Sequence, residues 1–144
     1  MSKHSILCGL ILITLGGLNW GCARASLDTT GYALHEAATV SAPFEDTWQA
    51  LKTVLREQDL EIYTRDKRGV FVAYSPTRRS LLQPTRLQHT FELERIGANE
   101  TRITAETIRQ VYGVTLLTYP DWHDRPAEDN ADAQQILAML QESL

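Results

Sequence analysis

The chain has 144 residues, 43% of them hydrophobic and 22% charged, enough for one domain with a bounded core. Its formal net charge of -4 argues against a chain built mainly to hold nucleic acid, and it carries no nucleic-acid-binding motif. Its two cysteines, Cys8 and Cys22, exclude a disulfide framework, and with Cys8 in a segment expected to be removed they also exclude a two-cysteine metal site in the mature chain.

The N-terminus carries the strongest signal. Lys3 gives a short positive start, and residues 6–18 follow without a charge. A membrane span needs about 20 apolar residues, so this shorter run reads as the apolar region of a secretory signal peptide. Gly21-Cys22 resembles a bacterial lipobox, which implies that Cys22 is lipidated and becomes the first mature residue. The chain departs from that pattern at Asn19 and Trp20, where Leu and a small residue are usual. A rival cut follows Ala25 in the small-x-small site Ala23-Arg24-Ala25, and would leave a soluble periplasmic or secreted protein without Cys22. The lipoprotein reading is preferred. It makes residues 1–21 the signal peptide (1–25 in the alternative), 22–36 a tether and 37–144 a single domain. One acyl chain holds a membrane only marginally, and several hold it stably, at about 0.8 kcal/mol per buried CH₂. Ala23, standing where the lipoprotein sorting pattern would need Asp for inner-membrane retention, implies the outer membrane, facing the periplasm.

A first strand is expected within residues 32–40, with Glu36 breaking its apolar face, so that it begins near Ala37. Residues 42–58 predict an amphipathic helix. Phe44, Thr47, Trp48, Leu51, Val54 and Leu55 share one face, and Pro43 suits its first turn. Glu45 and Asp46 near its start and Lys52 and Arg56 near its end suit the helix dipole. Leu60, Ile62 and Thr64 alternate with polar neighbours, a turn follows at residues 66–69, and residues 70–75 return, making a hairpin. Residues 76–84, bracketed by prolines, predict a loop or a ragged sheet edge. Leu87, His89, Phe91 and Leu93 give the cleanest strand alternation. Ile103, Ala105 and Thr107 face inward on the next strand, whose phase slips at Ile108. Val114, Leu116, Leu117 and Tyr119 extend a strand, and residues 119–122 form a loop. Asn130 caps a final helix whose apolar stripe is Ala133, Ile136, Leu137, Leu140 and Leu144.

The expected fold is therefore α+β: an antiparallel sheet of four to five strands with both helices on one face, in the order β-α-β-β-β-β-α. Residues 40–51, the hairpin of residues 60–74 and the terminal helix carry a resemblance to two groups. One is the small bacterial cell-envelope lipoproteins with a single domain of unassigned function. The other is the helix-grip domains, including those of the assembly lipoprotein BamC and the START-like ligand binders. The resemblance implies a binding domain and brings no catalytic signature with it.

Trp48 either lines a ligand cavity or buries against the sheet beside Leu51 and Leu55, and the regular stripe favours burial. His89, on the inward face of a strand, reads as a hydrogen-bonded core residue. Arg65, Lys67, Arg68, Arg78, Arg79 and Arg86 form a basic stretch opposed only by Asp66. Asp121, Asp124, Glu128, Asp129 and Asp132 form an acidic one. Either is a solvated face or a contact surface. Asp121, His123 and Asp124 fit no defined metal spacing. Ser75 has no evident partner, and no nucleophile motif or phosphate loop appears. The expectation is a non-catalytic, lipid-anchored envelope protein that binds a protein or envelope component through Arg78, Arg79, Arg86 and Trp122. It calls for no cofactor, metal or nucleic acid. The alternative is a helix-grip domain holding a small apolar ligand.

Overall fold

The computed structural model describes residues 31–79, 83–113 and 119–144. Cys22, both cleavage sites and the apolar run lie outside the described residues, as do Val114, Leu116 and Leu117. In chain order the elements are β1 (Leu34–Val40), α1 (Phe44–Glu57), β2 (Glu61–Asp66), β3 (Val70–Tyr74), β4 (Arg78–Arg79), β5 (Pro84–Gly97), β6 (Glu100–Gly113), β7 (Asp121–Arg125) and α2 (Ala131–Glu142). All pairings are antiparallel, in the order β1-β6-β5-β3-β2. Among the described residues the sheet has seven strands rather than four to five, because two short ones, β4 and β7, pair with β5 and β6 off the main path. The expected α+β class holds, and so does the placing of both helices on one face of the sheet.

The hairpin of β5 and β6 is the spine. Each strand is 14 residues long, more than its neighbours can cover. β3 pairs with residues 88–92 of β5, and β4 continues along the same edge at Thr85 and Pro84. β1 pairs with residues 101–107 of β6, and β7 continues at residues 109–113. Pro84 is tolerated because it opens its strand. Residues 121–125, expected partly as loop, are held straight by pairing with β6.

Both helices lie on the face bearing Phe71, Ala73, Phe91, Leu93, Ile103 and Ala105, and these join one buried cluster with Trp48, Leu51, Leu55, Ile136 and Leu140. Trp48 is core: its ring lies 5.1 Å from that of Phe71, and its indole N–H donates to the Asp66 carbonyl at 3.2 Å. Helix α1 begins at Pro43, whose carbonyl accepts from both the N–H and the hydroxyl of Thr47 at 3.0 Å. It ends where Asp59 turns to φ 55° and Leu60 N–H closes on the Leu55 carbonyl, the usual left-handed stop.

Four expectations are revised. β1 starts at Leu34 because Glu36, on the helix-facing side, meets a polar partner there: Gln134 Nε2 donates to it at 2.6 Å. The strand at Ile108 neither slips nor ends: Ile108 keeps its register opposite Gln88 and is buried on the other face of the sheet, outside the main cluster. Asn130 does not cap α2 with its side chain; Asp129 accepts the Ala131 N–H at 3.1 Å instead. Leu144 lies past the end of α2 and is 45% exposed, so the stripe ends at Leu140.

Candidate functional site

Where the β5–β6 spine outgrows β1 and β3, the first turn of α2 overhangs the sheet and leaves a groove of about 330 Å³. Strand alternation builds its sheet wall. Thr85 and Leu87 share the helix-facing side of β5, Arg78 stands opposite Thr85, and Arg109 stands opposite Leu87. Ser75 completes that wall. Its N–H donates to the Leu87 carbonyl at 2.9 Å and its hydroxyl accepts the Leu87 N–H at 2.8 Å, extending the ladder past β3. Glu128, Asp129, Ala131 and Asp132 form the opposite wall. A second cavity of about 210 Å³ adjoins the first, sharing Ser75, Arg78 and Asp132 and adding the apolar surface of Leu60 and Ile136.

One unsatisfied polar atom lies in the lining of this groove. Three buried side-chain atoms lack a hydrogen-bond partner among the described residues: His89 Nε2, Arg109 Nε and Asn130 Oδ1. Arg109 is in the sheet wall. Asn130 is the chain neighbour of the lining residues Asp129 and Ala131, and His89 lies one pleat deeper than Leu87 on the same face of β5, but neither lines the groove. Buried polar groups are nearly always paired in folded proteins, so the unpartnered Nε of Arg109 leaves a donor in the groove wall. A more open depression of about 510 Å³, lined by Arg56, Leu60, Ile62, Tyr63 and Arg65, has none of the three.

His89 is fully buried, as expected of a core histidine, with Nδ1 3.0 Å from the Thr107 hydroxyl. Burial pushes its imidazole pKa down, and the nearby Asp132 charge partly opposes this. The folded state therefore resists a proton that the unfolded chain accepts below about pH 6.5, the ordinary imidazole value. Its contribution to stability is full above that pH and declines as pH falls through it, by at most about 1.4 kcal/mol per pH unit. In urea unfolding at pH 7.5 and 5.5, His89→Gln is expected to lose less stability between the two than the parent. Equal losses would exclude His89 as a source of acid sensitivity.

The other face of the same sheet end carries a second cluster. The Arg86 guanidinium lies 3.8 Å from the Tyr74 ring centre and 4.1 Å from that of Trp122. Trp122 meets Tyr112 edge-on at 5.4 Å. Arg86 Nε donates to Gln110 Oε1 at 2.8 Å, and Gln110 Nε2 donates to Asp124 Oδ1 at 2.8 Å and Gln88 Oε1 at 3.1 Å. This stack is internally satisfied and ties β3, β5, β6 and β7 together beneath the groove.

The four residues expected to form one contact surface are thus divided. Arg86 and Trp122 meet on the outer face, Arg78 is on the groove face, and Arg79 alternates away from it opposite Pro84. The basic and acidic stretches are brought together at the groove through Arg78 on one side and Glu128, Asp129 and Asp132 on the other, and Arg109, which belongs to neither stretch, bonds Glu128 at 3.1 Å. Arg68 is engaged with Asp66 in the hairpin turn. Asp121 and His123 point to one face of β7 and Asp124 to the other, where it is held by Gln110. Arg109 was missed from the sequence because the inward phase was read as lost at Ile108. A charged residue continuing that phase was the available signal.

No protein-family model matches the chain, and no curated protein matches it. Among solved structures, the chain is similar to Ara h 8.0201, at 11% identity and a TM-score of 0.39, over 78% of this chain and 96% of that one. It is also similar to the Zhui aromatase/cyclase from Streptomyces sp. R1128, at 16% identity and a TM-score of 0.32, over 77% and 84% of the two chains. Both likenesses are distant, and ligand chemistry rests on the residues of the groove alone.

Proposed function

We propose that this domain is a non-catalytic binding module and that its site is the groove between the sheet and the start of α2. One observation carries the reading: a cavity of about 330 Å³ has in its wall Arg109, whose buried Nε has no partner among the described residues, and its volume is within the size range of small-molecule sites, roughly 300–1,000 Å³. The lining favours a polar ligand over the apolar one first weighed, since Leu87 and Ala131 are the apolar residues among charged and hydroxyl-bearing neighbours. Among the described residues the Ser75 hydroxyl is engaged by a backbone N–H, and the His89 imidazole meets the Thr107 hydroxyl, both of them fully buried.

The reading is tested by titrating ¹⁵N-labelled protein with a carboxylic acid, a phosphate ester, an amine and a fatty acid. Amides of Ser75, Leu87, Ala131 and Asp132 are expected to shift with at least one polar probe. The reading fails if no probe moves them, or if the strongest shifts sit at Tyr112 and Trp122.

The same proposal places the domain at the bacterial outer membrane, facing the periplasm, through lipid on Cys22. Its supports are the uncharged run of residues 6–18 and Gly21-Cys22. Mass spectrometry of the mature protein is expected to find a lipidated chain starting at Cys22. An unmodified chain starting at Ser26 sinks the anchor and leaves the groove reading untouched.

A further inference from the structure

The groove has two oppositely charged walls. Every cation in its lining comes from the sheet: Arg78 from β4, Arg86 from β5 and Arg109 from β6. Every anion comes from the chain entering α2: Glu128, Asp129 and Asp132. Such walls ordinarily close on each other, yet one ion pair, Arg109 with Glu128, is made across them among the described residues. Arg86 is held between two rings on the outer face, and Asp129 is occupied by the Ala131 N–H. The side chains of Arg78 and Asp132 make no hydrogen bond or ion pair with any described residue, and these two line both adjoining cavities. The half-used guanidinium of Arg109, with its buried Nε unpartnered, stands on the cationic side.

A purely anionic ligand would face Asp132, and a purely cationic one would face Arg78. Like charges brought together out of bulk water repel, whereas a ligand carrying both signs satisfies both walls at once. We propose, building on the groove reading above, that the ligand is a small zwitterion with a free carboxylate and a free ammonium, an amino acid or the two ends of a short peptide. The carboxylate seats on Arg78 and Arg109, where a planar guanidinium can offer two parallel N–H donors. The ammonium seats on Asp132. A small aliphatic side chain rests on Leu87 and, in the adjoining cavity, on Leu60 and Ile136.

The probes are alanyl-alanine, its N-acetylated form and its C-terminal amide, titrated into the protein by calorimetry with the Leu87 and Ile136 amides followed by NMR. Alanyl-alanine is expected to bind in the groove, and each capped form to bind about tenfold more weakly or worse, the scale of one lost charged hydrogen bond. Arg78→Gln is expected to abolish the preference over the amide. Asp132→Asn is expected to abolish the preference over the acetylated form. Both side chains are exposed, so the fold is not at stake, and Arg79→Gln on the other side of β4 is expected to bind like the parent. The inference is overturned if capped and free peptides bind alike, or if Arg79→Gln loses as much as Arg78→Gln. It is also overturned if alanyl-alanine moves neither amide. In each case the polar probe panel still reads out separately whether the groove binds anything.

Discussion

Trp48→Ala is expected to lower the free energy of unfolding by about 3–5 kcal/mol. Trp48 is 5% exposed at the centre of the helix–sheet interface. Removing its indole opens a void against Phe71, which is fully buried and cannot relax into it without leaving its place in β3. The Asp66 carbonyl also loses the indole N–H donor. Domains of this size are stable by roughly 5–15 kcal/mol, so the change takes a large share of the whole. Urea unfolding followed by far-UV circular dichroism measures it. A variant within about 1 kcal/mol of the parent would show that the site collapses and that Trp48 is not the keystone of the interface.

Gly69→Ala is expected to be nearly as damaging, at about 2–4 kcal/mol, from backbone strain and a disturbed hydrogen bond. Gly69 turns the β2–β3 hairpin at φ 115°, a region that L-residues rarely enter. A Cβ there would lie 2.5 Å from the Leu93 carbonyl oxygen and 3.2 Å from the Phe44 ring. The Phe44 ring can swing aside, but the Leu93 backbone cannot, because its N–H donates to the Gly69 carbonyl at 2.8 Å. Gly31, with nothing within 4 Å of an added Cβ, is the control: Gly31→Ala is expected to change stability by less than about 0.5 kcal/mol. Equal effects at the two glycines would refute the clash.

The α+β framework was legible because its long elements keep a single period. Residues 44–57 repeat at helical spacing and residues 87–93 at strand spacing, so each face could be assigned before its partner was known. The short strands were not legible. Two residues at Arg78 and Arg79 carry no period, and residues 121–125 gain their extended form from β6 rather than from propensity. Ile108 misled for a definite reason: a residue buried on the outer face looks like a broken inward phase when one face is assumed to be wet. The groove was unreadable in a different sense. Its walls join charges from β4, β6 and the lead into α2, which only the tertiary fold brings together. In the sequence Arg78 and the carboxylates belong to two separate runs, and Arg109 to neither.

The pairing of β1 also carries a consequence for how the chain comes together in time. β1 finds its neighbour not in the next element but in β6, with Val40 opposite Thr101, and Glu36 is tied to Gln134, 98 residues away. The β5–β6 hairpin closes on itself through a short turn and needs no such search. Loop entropy must be overcome before distant contacts contribute. The hairpin is therefore expected to assemble early and β1 to dock late. β1 precedes β6 by about 60 residues in the chain, so Ala38 and Val40 lack their sheet neighbours until β6 has formed. Misassociation is expected to be greatest in that interval.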